Sequence, residues 1–255
     1  MLVFVIPVKS KTIEKNWASF SRLLDRCIGS ICNQSNTNFK VVVACHEIPE
    51  TSYNNDPRVT FLQVDFAPPG INTPLIPKEK DKGKKIKLAT DYAKKLGASY
   101  IMVVDSDDCI SNKICEFVNK NSDDSKSGWY VKKGYLYPEG KKYAYLNLKN
   151  FQTICGTCAI IKPEHIDLMY GENFWFHHDR TKFPNIASLE PLPFPAALYS
   201  MLNGSNICLD VGEMKKRTEV KPSKMAFFKT LFRRLGKYRL MPTALIKKEF
   251  NLKKI

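Results

Sequence analysis

This sequence predicts an α/β fold on a largely parallel sheet, from three observations. Short apolar runs alternate with helical patterns through the first hundred residues, those runs are strand-sized, and the run at 100–104 is apolar at every position. A strand of that last kind is buried on both faces, as in parallel sheets covered by crossover helices. At 255 residues, 44% apolar and 25% charged, the chain can bury one substantial core and is too apolar and aromatic for a disordered polyanion binder.

The elements follow in order. Residues 2–8 form a first strand, Trp17, Phe20, Leu24, Cys27 and Ile31 recur at helical spacing, and 40–45 form a second strand. Asp56-Pro57 marks a turn before a third strand at 59–64. Residues 67–83, rich in Pro, Gly and charge, read as a loop long enough to suggest a functional role. Ile86, Ala89, Ala93 and Leu96 then space a helix closed by Gly97 as C-cap, and the strand at 100–104 follows. The second half is less regular. It holds aromatic-rich extended structure over 129–148 with a turn at Pro138-Glu139-Gly140, and a short strand at 157–161. A loop shaped by Pro184, Pro191, Pro193 and Pro195 leads into a short helix over 197–202.

No apolar stretch reaches the roughly 20 residues a membrane span needs. The opening Met1-Leu2-Val3-Phe4-Val5-Ile6-Pro7 reads as a strand rather than a leader, which places the chain in a reducing, cytoplasmic compartment. The eight cysteines are scattered through apolar segments and are expected to be buried thiols; Cys155 and Cys158 have the spacing of a zinc or redox half-site but no second pair to complete it. Of the net charge of +15, residues 220–255 carry +10, from eleven Lys or Arg against one Glu. Basicity is mostly a property of this tail.

The sharpest feature is Asp105-Ser106-Asp107-Asp108, directly after the apolar strand. Side chains leaving the carboxyl end of a parallel strand point into the crevice where α/β folds bind ligands. Three carboxylates in four residues repel one another, so a compensating cation is expected; Asp105 and Asp107 have the alternate spacing that turns two carboxylates toward one Mg²⁺ or Mn²⁺. A solvated acidic turn is the competing interpretation.

With the opening Ile6-Pro7-Val8-Lys9 and the segment 95–101, this acidic run resembles the family 2 glycosyltransferases of the GT-A fold, over roughly the first 110 residues and more weakly to about 210. The resemblance implies a nucleotide-binding mixed sheet with flanking helices and metal-dependent transfer from a nucleotide-diphosphate sugar. It implies that Pro7, Val8 and Lys9 lie beside the nucleoside, with Glu47 near the base. Asp105 and Ser106 would lie at the ribose and metal region, Asp107 would bind the metal, and Asp108 would orient the loop or the sugar. Where many members carry an Ala-Arg-Asn pattern, this chain has Lys84-Lys85-Ile86-Lys87-Leu88-Ala89. Lys84, Lys85 or Lys87 could place positive charge near the donor there, or form a solvated face. Gly156 would let backbone approach the donor sugar.

A second constellation, Phe174-Trp175-Phe176-His177-His178-Asp179, joins proton-transfer and metal-ligand chemistry to an aromatic surface on which a sugar could stack; packing of a core lid is the structural alternative. The resemblance makes Asp179 the catalytic base of an inverting transfer; His177 or His178 is a further metal ligand or a donor to the leaving phosphate, and the sequence does not choose between them. Tyr199 and 203–206 are placed on the acceptor side.

Met225, Phe228, Phe232 and Leu235, interleaved with Lys224, Lys229, Arg233 and Arg234, give a helix suited either to an anionic membrane or to packing on the body. The expected organisation is a catalytic domain at 1–219 and a basic helical extension at 220–255. The first comprises a nucleotide-binding half to about 110 and an acceptor-side half after it. Expected partners are a nucleotide-sugar donor and a glycan or lipid-linked acceptor. No zinc-finger spacing or RNP-like strand pair points to specific nucleic acid. A sugar-phosphate nucleotidyltransferase and a non-enzymatic membrane or nucleic-acid binding module are the alternatives, the first disfavoured by the lack of a glycine-rich phosphate loop after Val8.

Overall fold

The structure, a computed structural model, describes residues 1–170, 189–205, 236–253 and 255. In chain order these form β1 (Leu2–Pro7), α1 (Trp17–Cys32), β2 (Phe39–Cys45), β3 (Val59–Gln63), α2 (Leu75–Lys95), β4 (Tyr100–Val103), β5 (Cys109–Ile110), α3 (Ile114–Asn121), β6 (Gly128–Tyr130), β7 (Gly134–Pro138), β8 (Tyr143–Asn147), β9 (Ala159–Ile161), α4 (Ile166–Tyr170), β10 (Leu189–Pro191), β11 (Ala197–Met201), β12 (Tyr238–Pro242) and α5 (Thr243–Ile246).

Two sheets result. The larger has the order β10-β6-β9-β4-β1-β2-β3 and the smaller β12-β8-β7-β11-β5. In the larger sheet β1 lies parallel between β2 and β4, and β9 runs antiparallel to both β4 and β6. Every residue of β1 and β4 is buried, because helices cover both faces of so apolar a centre. Helix α1 offers Phe20, Leu24, Cys27, Ile28 and Ile31 to this core, and α2 offers Ile86, Ala89 and Ala93. Gly97 takes φ +77° just past α2, a conformation open to glycine, and turns the chain into β4.

The chain passes from the end of β4 in the large sheet, Val103, to the start of β5 in the small sheet, Cys109, through Val104 and the four-residue acidic run. The run therefore sits at the junction of the two sheets.

Three expectations need correction. The 67–83 loop is shorter, because α2 begins at Leu75; Pro77 is tolerated in the first turn, where its missing N–H has no helical partner to lose. Residues 197–201 are a strand, not a helix, drawn in by parallel pairing with β7 and antiparallel pairing with β5. In the C-terminal segment, Tyr238–Pro242 is a strand on β8, and Ile246, Phe250 and Leu252 are buried in the small sheet's own core. That end of the chain is part of the body. The amphipathic stretch at 224–235 and Cys208 lie outside the described residues. Among the described residues no helix is long and apolar enough to cross a membrane. The seven described cysteines are free thiols, six of them buried.

Candidate active site

A cleft opens where β1 and β4 end. Its walls are Pro7, Val8 and Lys9 from the end of β1, Asp105, Ser106 and Asp107 after β4, Cys155 and Gly156 before β9, Tyr199 and Ser205 from the small-sheet side, and one face of α2.

The acidic run is held from both sheets. Thr157 Oγ1 accepts from the Asp105 N–H at 2.9 Å and donates to Asp108 Oδ2 at 2.6 Å. Cys155 Sγ donates to the same Asp108 oxygen at 3.1 Å, while Asp108 Oδ1 accepts from the Ser200 N–H in β11 at 3.1 Å. Asp108 is wholly buried, and burial, with Asp107 and Asp105 close by, pushes its carboxyl well above the usual range. It points away from solvent and ties the 155–157 turn to β11. Asp105 and Asp107 face the cleft instead.

Asn203 donates to Asp107 Oδ2 at 2.7 Å. Desolvation raises the Asp107 carboxyl, the Asn203 bond opposes it, and the Asp105 charge adds to the rise. Lys9 bonds the Ser205 carbonyl at 2.8 Å, pairs with Glu14 and lies over the Phe20 ring at 5.1 Å. Ser205 donates back to Glu14 at 3.0 Å, so the 203–205 turn is tied to the start of the chain.

The α2 face presents Lys78, Asp81, Lys82 and Lys85, at i, i+3, i+4 and i+7 spacing. Lys82 meets Asp105 Oδ1 at 2.6 Å. Lys85, fully buried, donates to Asp81 Oδ2 at 2.6 Å and to the Val8 carbonyl at 2.8 Å. Burial pulls its ammonium below the usual range, against the pull of Asp81. His46 Nε2 lies 2.8 Å from Asp81 Oδ1, completing a buried chain that locks α2 to the ends of β1 and β2.

No family model and no curated protein matches this chain. Among solved structures it is similar to S. aureus TarS in complex with UDP-GlcNAc, at 13% identity over 84% of this chain and 63% of that one, with a TM-score of 0.50. It is also similar to the glycosyltransferase GlyE of Streptococcus pneumoniae TIGR4, at 10% identity over 93% of this chain and 64% of that one, with a TM-score of 0.45. The fold is GT-A-like. The chain spans less than two thirds of each of these two proteins.

Within the GT-A-like frame, Pro7, Val8, Lys9, Asp105, Ser106, Asp107 and Gly156 converge on one cleft. Three other expected donor-site residues do not line it. Glu47 accepts from Ser10 Oγ and the Lys11 N–H, both at 3.0 Å, and so caps the turn after β1. Lys84 sits over the Phe66 ring at 5.4 Å, and Lys87 pairs with Asp167 at 2.5 Å on the exposed side of α2. The helical phase explains this, since 84 and 87 project from a different face than 78, 82 and 85. His177, His178 and Asp179 lie outside the described residues.

Sequence reasoning missed Lys78 and Lys82. Extending the helix back through Pro77 would have found them, because their spacing to Lys85 then marks one stripe.

The two cleft carboxylates fit a divalent cation. Asp105 Oδ1 is buried and has no directional hydrogen bond, meeting Lys82 only as an ion pair. Gly156 leaves the same carboxylate room that a Cβ would take. Among the described residues no group of three or more His, Cys, Asp or Glu gathers there, so the described part of the chain offers two ligands.

Proposed function

We propose that this chain is a glycosyltransferase of the family 2 type, moving a sugar, a hexose by preference, from a nucleotide-diphosphate donor to a hydroxyl of a glycan or lipid-linked acceptor. The observation that carries this reading is the convergence of Asp105 and Asp107 with Pro7–Lys9 and Gly156 at the carboxyl ends of β1 and β4.

In this reading the Pro7–Lys9 backbone borders the nucleoside, and Asp107 with Asp105 holds Mn²⁺ or Mg²⁺, His177 being the proposed further ligand. The bound ion supplies charge neutralisation on the diphosphate. Lys78, Lys82 and Lys85 add positive charge on the α2 side, where negative charge grows as the nucleoside diphosphate departs. Tyr199, half-buried in the cleft lining, would offer a ring and a hydroxyl toward the transferred sugar. Asp179 is the proposed base that takes the acceptor hydroxyl proton in an inverting transfer, with His178 beside it. The basic segment 220–255 would bring the enzyme to an anionic membrane surface on the cytoplasmic side, where lipid-linked acceptors are presented.

A thermal-shift screen of nucleotide-sugars with and without Mn²⁺ tests the proposal, since a ligand of the folded state raises apparent stability. Stabilisation by a nucleotide-sugar that depends on Mn²⁺, with release of free nucleoside diphosphate on turnover, is the expected result. Release of pyrophosphate would assign nucleotidyl transfer instead, and no shift with any donor would overturn the reading. Asp179→Asn is expected to keep donor binding and lose transfer.

A further inference from the structure

The cleft carries a cation of its own. Lys82 Nζ stands 2.6 Å from Asp105 Oδ1, on side chains that are 19% and 23% exposed. Among the described residues four lysines line the cleft, Lys9, Lys78, Lys82 and Lys85, against the four carboxyl groups of Glu79, Asp81, Asp105 and Asp107. Among the described lining residues lysines and carboxyl groups are thus equal in number, and Lys9 is further paired with Glu14 behind the lining. A divalent ion binding Asp105 must therefore meet an ammonium already seated on its oxygen.

We propose that Lys82 is an exchangeable counter-ion. In the donor-free protein it occupies Asp105 and suppresses metal binding there; when metal and diphosphate arrive together, it leaves Asp105 for the diphosphate oxygens. This rests on the glycosyltransferase reading and deepens it. A lysine suits the role because its flexible four-carbon stem lets a compact point charge pivot while its root stays fixed on the helix. Lys85 cannot act this way, since it is locked between Asp81 and the Val8 carbonyl. The arrangement makes metal and donor bind as a unit. Metal alone has to displace a positive charge, whereas metal with diphosphate offers that charge a new partner.

The test uses the full chain and two probes, Mn²⁺ alone and inorganic pyrophosphate at saturating Mn²⁺. Mn²⁺ is followed by electron paramagnetic resonance titration and pyrophosphate by calorimetry. In Lys82→Met, Mn²⁺ alone should bind roughly tenfold or more tightly than in the parent, and pyrophosphate should bind roughly tenfold more weakly. Lys82→Arg, which keeps the charge, should shift Mn²⁺ affinity far less. These opposite signs separate the proposal from a merely structural role, which would weaken both. An unchanged Mn²⁺ affinity in Lys82→Met, unchanged pyrophosphate binding, or no Mn²⁺ binding in either protein would overturn the exchange. Mn²⁺-dependent stabilisation of the parent by a nucleotide-sugar would still support the functional reading in each of those cases.

Discussion

A Cβ added at Gly156 would stand 2.7 Å from Asp105 Oδ2, closer than real Cβ contacts come. The glycine thus shapes the carboxylate's seat. In Gly156→Ala the Asp105 side chain has to rotate, which the end of a side chain can do at a modest folding cost of about 1 kcal/mol. The metal and donor should suffer more. Calorimetry should show a thermal midpoint within a few degrees of the parent, and the Mn²⁺-dependent nucleotide-sugar shift should largely vanish. A shift equal to the parent's would mean that Asp105 is not a ligand.

Gly128 is a different case, because what it meets is backbone. Its φ is +142°, and a Cβ there would lie 2.0 Å from the Ile160 carbonyl oxygen in β9. Neither strain nor clash can be relieved by a rotamer change. Gly128→Ala is therefore expected to cost about 2–3 kcal/mol in denaturant unfolding. A cost below 0.5 kcal/mol, or about the ordinary noise of surface substitutions, would mean β6 does not pair with β9 in this register.

How much of this was legible in the sequence follows from where the information is stored. The first four strands and the core of α2 announce themselves because Leu2 through Ile6 and Tyr100 through Val103 are buried on both faces, leaving unbroken apolar runs. The acidic run announces itself as three carboxylates directly after such a strand. The start of α2 was hidden by Pro77 and a cluster of lysines, and with it went Lys78 and Lys82. Strand β11 was hidden because Ala197–Met201 becomes extended only through pairing with β7 and β5, partners about 60 and 90 residues away. Glu47 kept the right neighbourhood in sequence, but its oxygens turn to Ser10 and Lys11.

Helix α1 is bound to the small sheet by Arg26, whose two guanidinium nitrogens reach Glu139 Oε1 and Oε2 at 2.9 Å each; one of them also reaches Ser200 Oγ at 3.2 Å. The Arg26 side chain is 1% exposed. Removing one member leaves a charge stranded without solvent, a cost of about 3–5 kcal/mol. Glu139→Ala should lower stability on that scale in urea unfolding. Because Ser200 also donates its backbone N–H to Asp108, the donor-induced shift should weaken as well. A variant as stable as the parent would show that the bidentate pair does not form.

Asp107, Asp108 and Glu79 are all raised above their ordinary values of 3.8, 3.8 and 4.5, in each case by desolvation first. A carboxyl raised in the folded state gives up its proton later than in the unfolded chain. As pH climbs past the unfolded value the folded state therefore loses ground, by up to about 1.4 kcal/mol per pH unit for each such group, until its own raised value is passed. Asp56, held low by its hydrogen bond from Arg58, acts in the opposite sense: its stabilisation is present above 3.8 and lost as pH falls through its lower folded value. The metal-free protein should thus melt at a higher temperature at about pH 5 than at about pH 8, and lose stability again at strongly acid pH. Asp108→Asn removes the wholly buried member while keeping an oxygen for the Ser200 N–H. It should flatten the decline between those pH values at a cost in overall stability, because the new amide N–H2 faces the Thr157 hydroxyl and the Cys155 thiol that donate to Oδ2 in the parent. Thermal midpoints recorded across the range decide the matter; a parent midpoint that rises toward pH 8, or a variant with the parent's full slope, would show that Asp108 is not the group whose proton the fold retains.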